Sequence, residues 1–228
     1  MTELPFASQL INLCAALLLL LSFAMLSQRR VLTLVTLYAL QGVTLFVSIT
    51  VVMWSTGQYH LFFSAALTLL LKVIALPLIM HRLIRKLGAR WETETLLNTP
   101  TTMLVGLLLV IFCFSLAAPI SELGHTVTRS TLGIALAVVM LSFLMMITRR
   151  KAISQVIGFL AMENGLFFAA TSTTYGMPMV VELGVALDVL VGVLILGIFF
   201  FQIREQFDSL DLHHLESLRE DATAGERE

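Results

Sequence analysis

Long runs of apolar residues separated by short polar breaks dominate this sequence. A helix needs about 20 predominantly apolar residues to cross the hydrocarbon core of a bilayer. The pattern therefore predicts an all-α, polytopic membrane protein with about seven transmembrane helices. The predicted helices lie at residues 5–27, 31–54, 59–80, 101–121, 129–148, 152–173 and 177–202.

The composition supports this prediction. Of the 228 residues, 58% are hydrophobic and 13% are charged, whereas about 25% of the residues of a soluble domain are charged. The net charge is −1. The sequence has no basic patch interleaved with aromatic residues, which is the pattern that would indicate nucleic-acid binding. We therefore expect the chain to lie in a lipid bilayer and to bind no nucleic acid.

The distribution of Lys and Arg predicts an orientation with the N-terminus outside and the C-terminus in the cytoplasm. In that orientation the three cytoplasmic connections carry 2, 4 and 3 of these residues, and the C-terminal tail carries 3. Cytoplasmic loops are enriched in Lys and Arg, whereas the opposite orientation would place nearly all of them outside.

An internal repeat predicts how the helices are grouped. The helix with Leu40-Gln41-Gly42 and the following helix with Lys72 match the helix with Met162-Glu163-Asn164 and the following helix with Asp188. Such repeats are common in transport proteins, and this one places Lys72 opposite Asp188. The predicted parts are an N-terminal three-helix unit with a cytoplasmic linker at 1–100, a linking helix at 101–128, a C-terminal three-helix unit at 129–202, and an acidic cytoplasmic tail at 203–228.

Four ionisable side chains lie inside apolar runs: Lys72, Glu163, Glu182 and Asp188. A charge near the bilayer centre costs from ~3 kcal/mol on insertion scales to ~10 kcal/mol or more in simulations, so such residues normally face a partner, a hydrated cavity or an ion path. Burial also favours the neutral forms of carboxylates and lysine, so these groups can accept and release protons. We therefore predict a proton or ion path through all four, with Glu182 nearer the outer surface. The alternative is a set of fixed helix–helix contacts, among them a salt bridge between Lys72 and Asp188.

Other polar and special residues lie beside the buried charges. Gln41 occupies the depth of Glu163 but cannot titrate, so we expect it to be a hydrogen-bonding strut. Asn164 and Gly165 follow Glu163 and predict a supporting polar group next to a close helix contact. Pro77, five residues after Lys72, predicts a weakened backbone hydrogen bond, with either a kink near the lysine or a tolerated bend.

No cluster of Cys, His or carboxylate residues has the spacing of metal ligands. Cys14 and Cys113 each lie alone within an apolar run, where a cysteine is usually a small buried hydrophobe. The sequence therefore predicts no metal, no cofactor and no catalytic residue on this chain.

The run from Ile157 to Gly165 and the segment Asp188-Val189-Leu190-Val191-Gly192 resemble the K-type subunit of respiratory complex I. That subunit corresponds to the C-type subunit of multisubunit Na⁺/H⁺ antiporters and has three helices, with a buried acid on each of the last two. Asp188 matches the second acid. The first acid falls at Leu160, about one helical turn before Glu163.

Three further motifs are Lys72-Val73 followed by Pro77-Leu78-Ile79-Met80, Met162-Glu163-Asn164-Gly165, and Val181-Glu182-Leu183-Gly184 before Asp188. With these motifs, most of the chain resembles the component E family of hydrogenase-4 and formate hydrogenlyase-2 complexes. The resemblance implies a non-catalytic, multi-pass subunit of a complex I-like oxidoreductase in the bacterial inner membrane. Its implied partners are antiporter-like membrane subunits and the membrane anchor of a [NiFe] hydrogenase module, with ion translocation coupled to their redox chemistry.

Two alternatives stay open. The chain can be a subunit of a multisubunit Na⁺/H⁺ antiporter, or a purely structural membrane anchor whose buried charges are salt bridges. In the second case, removal of one partner of a salt bridge is expected to break up the complex.

Overall fold

The computed structural model describes residues 6–57, 61–86, 95–121 and 126–174, together with Leu190 and Gly192. All of the helices described below belong to one compact unit, Met1–Asp188. Of a second unit, Val189–Glu228, only Leu190 and Gly192 are described. The rest of the predicted helix at 177–202, which includes Glu182 and Asp188, and the predicted tail at 203–228 lie outside the described residues.

The apolar runs form long helices, six of which are long and apolar enough to cross a membrane within the described part of the chain. This confirms an all-α, multi-pass membrane protein; the seventh helix and the orientation stay predictions. The elements are α1 (Phe6–Ser27), α2 (Val31–Thr56), α3 (Leu61–Thr68), a π-helical segment (Leu69–Ala75), α4 (Leu76–Lys86), α5 (Thr99–Ser121), α6 (Thr126–Thr148) and α7 (Ala152–Thr174).

The third predicted helix is longer than expected and contains an irregular turn. Helix α3, the π segment and α4 follow one another without a break and end at Lys86 instead of residue 80. Arg85 lies in the last turn, where a positive charge interacts favourably with the helix dipole. The backbone N–H of Leu76 donates to the carbonyl of Leu71, five residues back. Pro77 follows this widened turn directly, and in a regular α-helix its ring would clash with the carbonyl four residues back.

The centre of the unit is formed by α1, α2, α6 and α7. Helix α6 packs against α7, α5 and α1, and α2 packs against α1 and α7. The side chains of Leu18, Leu45, Ile49, Val138 and Phe168 meet there and are buried. Because lipid tails are as apolar as these side chains, the helices are held together by close packing and interhelical hydrogen bonds.

Helix α5 lies at the periphery and turns large apolar side chains outward. Leu104, Leu107, Leu108, Ile111 and Phe112 are each more than half exposed. A soluble monomer rarely exposes so many large apolar residues together. This surface is suited to contact with lipid or with another membrane protein.

Gly165 lets α7 approach α6 closely, as we predicted. A Cβ atom at this position would lie 2.9 Å from Val138 Cγ1, 3.0 Å from Val139 Cγ2 and 3.2 Å from the backbone nitrogen of Val139. The last contact is with the backbone, which cannot move aside as a side chain can. The glycine therefore sets the distance between the two helices.

Gly165→Ala should lower the free energy of unfolding by about 1–3 kcal/mol because the added methyl group overpacks the α6–α7 interface. The measurement is the unfolding of the purified chain in detergent. Leu166→Ala, at an exposed position on the same helix, is the control and should cost less. An equal loss in both variants would contradict the role assigned to the glycine.

Arg149, counted above among the residues of a cytoplasmic connection, is buried and ties three parts of the fold together. Its Nη2 donates to the carbonyls of Leu26 (3.0 Å), Met25 (3.3 Å) and Gln28, at the C-terminal end of α1. Carbonyls at the end of a helix lack the usual donor four residues further on, although that of Met25 also accepts from the backbone N–H of Gln28 at 3.3 Å. A cation at this end also complements the helix dipole. Thr95, before α5, forms an antiparallel bridge with Arg149.

Burial, and next the charge of Arg29, lower the pKa of Arg149 to about 10, so it is charged at neutral pH.

Arg149→Met should lower the free energy of unfolding by about 3 kcal/mol because buried carbonyls lose a charged donor. Arg149→Lys should recover only part of the loss, since an ammonium lacks the planar fork of a guanidinium. Arg150→Met is a matched control on an exposed neighbour and should change the stability by less than about 0.5 kcal/mol. Similar losses for Arg149→Met and Arg150→Met in a chemical unfolding experiment would refute the assignment.

Candidate functional site

Lys72 and Glu163 form an ion pair inside the helix bundle. Lys72 Nζ lies 2.8 Å from Glu163 Oε1, and the two side chains are 0% and 3% exposed. They come from different helices, 91 residues apart in sequence. Two of the four predicted charges are thus direct partners, within segments that can span a membrane.

The ammonium group of Lys72 has further contacts on α7. It donates to Asn164 Oδ1 at 3.0 Å and lies 5.3 Å from the centre of the Phe167 ring. A cation over an aromatic face gains about 0.5–2 kcal/mol, depending on how far it is desolvated. One turn of α7 therefore supplies a carboxylate, an amide oxygen and an aromatic ring to the same cation.

A chain of hydrogen bonds continues from Asn164 to α2 and α1. Asn164 Nδ2 donates to Gln41 Oε1 at 3.5 Å, and Gln41 Nε2 donates to Ser22 Oγ at 2.9 Å. Ser22 in turn donates to the carbonyl of Leu18 at 2.9 Å. All of these side chains are buried. We call the residues Ser22, Gln41, Asn164, Lys72 and Glu163 the polar chain; they join α1, α2, the π segment and α7.

The backbone positions Lys72 by two features. The residue lies in the middle of the π segment, whose wider turn changes the direction of its side chain relative to a regular helix. Gly42, next to Gln41, allows α2 to approach: a Cβ there would lie 3.3 Å from Lys72 Cβ and 3.2 Å from Val73 Cγ2. A glycine beside a polar residue thus brings α2 close to the π segment.

The structure brings Lys72, Glu163, Asn164 and Gln41 together out of the six predicted site residues. Glu182 and Asp188 lie outside the described residues, and so does the alternative salt bridge from Lys72 to Asp188. The internal repeat suggested Asp188 as a partner of Lys72 because it places the two residues at equivalent depths in the membrane. In the described part of the chain, the partner is Glu163.

Sequence reasoning missed Ser22. Its hydroxyl ends the polar chain on α1, but serine is common in membrane helices, where its hydroxyl usually bonds to a carbonyl of the preceding turn. The one available signal was its position in an apolar run, and many serines and threonines of this sequence share it. The missing information was which helices are neighbours.

The arrangement is suited to holding and moving a proton. Lys72 and Glu163 are within hydrogen-bond distance, so a proton can pass between the amine and the carboxylate without a bridging water. The amides of Gln41 and Asn164 do not titrate and serve as oriented donors and acceptors. Within the described residues there is no cluster of three or more His, Cys, Asp or Glu side chains that suits a metal ion.

Comparisons with known proteins identify the family. The chain is 35% identical to the uncharacterised protein Rv0085 of Mycobacterium tuberculosis over 153 residues, which is 67% of this chain and 70% of that protein. It is 24% identical to hydrogenase-4 component E of Escherichia coli K12 over 212 residues, 93% of this chain and 98% of that protein. The protein of the same name from Shigella flexneri matches to the same extent.

No family model matches the chain. No solved structure matches it. The similarity of its C-terminal half to the K-type subunit of complex I stays a prediction. The matches to hydrogenase-4 component E, which cover nearly the whole of both chains, support one assignment: the chain belongs to the hydrogenase-4 component E family.

Proposed function

We propose that this chain is a membrane subunit of a hydrogenase complex and that Lys72 and Glu163 are stations on an ion-translocation path through it. The observation that carries the proposal is the buried ion pair between Lys72 and Glu163, 2.8 Å long and inside membrane-spanning helices. The family assignment supports the hydrogenase complex, because relatives matched over nearly their whole length bear the name of a hydrogenase component.

The energetics of the pair favour a functional role. Replacing a buried ion pair by well-packed apolar residues is often neutral or stabilising. Stability alone therefore gives little reason for a protein to keep Lys72 and Glu163. Lysine also suits proton exchange better than arginine, which holds its proton under all ordinary conditions.

The rest of the path and its surroundings are part of the same proposal. Asp188 is a third central station and Glu182 an outer one, in a bacterial cytoplasmic membrane with the N-terminus outside. The partners are antiporter-like membrane subunits and the membrane anchor of a [NiFe] hydrogenase module. The transported ion is H⁺ or Na⁺, and redox chemistry in the partners drives it.

Glu163→Gln should reduce ion transport per hydrogenase turnover at least about tenfold while the complex still assembles, because glutamine accepts a hydrogen bond from Lys72 but takes up no proton. The measurement is ion uptake by proteoliposomes containing the complex purified through this chain. Glu163→Asp keeps a carboxylate and should retain part of the transport. Wild-type transport by the Glu163→Gln complex would exclude the relay.

The Lys72→Arg variant distinguishes the relay hypothesis from the structural-anchor hypothesis. Arginine keeps the positive charge and can pair with Glu163, so an anchor should tolerate it, but its proton is not labile. We expect normal assembly with transport reduced at least about tenfold. Lys151→Arg, outside the spanning helices, is the matched control and should behave as wild type. Full transport by the Lys72→Arg complex would favour the anchor.

The proteins that co-purify with the chain test the complex itself. A large [NiFe] subunit among them is the expected result. Antiporter subunits alone would instead favour the alternative of a multisubunit Na⁺/H⁺ antiporter, and they would overturn the hydrogenase part of the proposal.

A further inference from the structure

The polar chain has a direction, and that direction starts at Ser22. Ser22 uses its one hydroxyl proton to donate to the carbonyl of Leu18. Its oxygen is then left to accept, and Gln41 turns its NH₂ group toward it. A serine hydroxyl has one proton and two lone pairs, so while it donates to Leu18 it can only accept from Gln41.

The direction passes through both amides. With its NH₂ group toward Ser22, Gln41 presents its oxygen to Asn164 and accepts from Nδ2. Asn164 must then present its own oxygen to Lys72, and it accepts from Nζ at 3.0 Å. Each amide can satisfy its neighbours in this order, and hydrogen bonds linked in series strengthen one another.

We propose that Ser22 is a positioning residue for the Lys72–Glu163 pair. Acting through Gln41 and Asn164, it keeps an amide oxygen, and not an NH₂ group, against the ammonium of Lys72. A flipped Asn164 would direct two N–H donors at a cation that is itself only a donor. Ser22 therefore holds the arrangement in which Lys72 has two oxygen acceptors on α7.

The same chain has one other self-consistent direction. If Lys72 loses its proton, its lone pair can accept from Asn164 Nδ2, and both amides can turn over. The hydroxyl of Ser22 then donates to Gln41 and leaves the carbonyl of Leu18, which still accepts its ordinary helical hydrogen bond. The observed direction belongs to the charged lysine, so Ser22 takes part in distinguishing the two protonation states.

The first test measures transport at one fixed pH, and this part rests on the proposed function. In proteoliposomes containing the purified complex, Ser22→Ala should lower ion transport per turnover about fivefold, as expected for residues coupled in one network. Ser22→Thr keeps the hydroxyl and should restore it. Ser48→Ala, which removes an equally buried hydroxyl on α2 outside the polar chain, is the control and should behave as wild type.

Two results of this test would overturn the proposal. One is wild-type transport by the Ser22→Ala complex when the Glu163→Gln complex is transport-deficient. The other is equal transport loss in Ser22→Thr and Ser22→Ala, because packing and not the hydroxyl would then be responsible.

The second test needs no transport. It is a double-mutant cycle on the full chain in detergent, comparing the melting temperatures of Ser22→Ala, Lys72→Met and the variant with both changes. The loss in the double variant should differ from the sum of the two single losses by at least about 2 °C. Without the ammonium of Lys72, the orientation of the Asn164 amide no longer affects a charged partner, so the loss of Ser22 should then matter less. Additive losses would overturn the proposal.

If Ser22→Ala does not fold, Gln41→Met replaces it in the cycle, because it breaks the polar chain at its centre. Non-additive losses are again expected, and additive losses would again overturn the proposal.

The two tests separate this inference from the proposed function. Wild-type transport by Glu163→Gln would reject the relay and leave the melting-temperature cycle to decide the role of Ser22. Additive melting losses combined with a transport-deficient Glu163→Gln complex would reject Ser22 and keep the relay.

Discussion

The ammonium group of Lys72 has to be compensated inside a largely apolar helix bundle, and the surrounding structure meets this requirement. An unpaired charge at membrane depth costs several kcal/mol. Lysine reaches from the π segment to α7, where Glu163, Asn164 and Phe167 surround its amine. Since the partner groups lie on a different helix, the position of α7 relative to the π segment is tied to the compensation of this one charge.

Close packing makes the compensation possible. Gln41 is followed by Gly42, and Asn164 is followed by Gly165. Each glycine brings its helix near a neighbour, where a Cβ atom would be at or inside normal contact distance. Amide side chains are short, so they bridge two helices only where the backbones approach. In a bilayer, where apolar burial does not draw helices together, this combination of small and polar residues supplies the specificity.

Apolar length predicted the observed spans well, because the bilayer fixes the length of a spanning helix. The energetic anomaly of a charge in an apolar run drew Lys72 and Glu163 out of the sequence as candidates, but their pairing across 91 residues could not be derived from depth. The π segment is a property of the backbone near Pro77 and has no periodic signature. Ser22 and Arg149 were missed for opposite reasons: a serine in an apolar run is ordinary, and an arginine just after one resembles a loop residue.

The two buried cations of the described chain, Lys72 and Arg149, are stabilised by different chemistry. Arg149 donates to backbone carbonyls, which neither titrate nor move independently of the helix end they belong to. Lys72 donates to a carboxylate, a group that can itself bind a proton. Arginine retains its proton where lysine can lose it. The fold thus uses Arg149 to join helix ends, and it places Lys72 with a carboxylate partner at the centre of the bundle, beside the amides of Asn164 and Gln41.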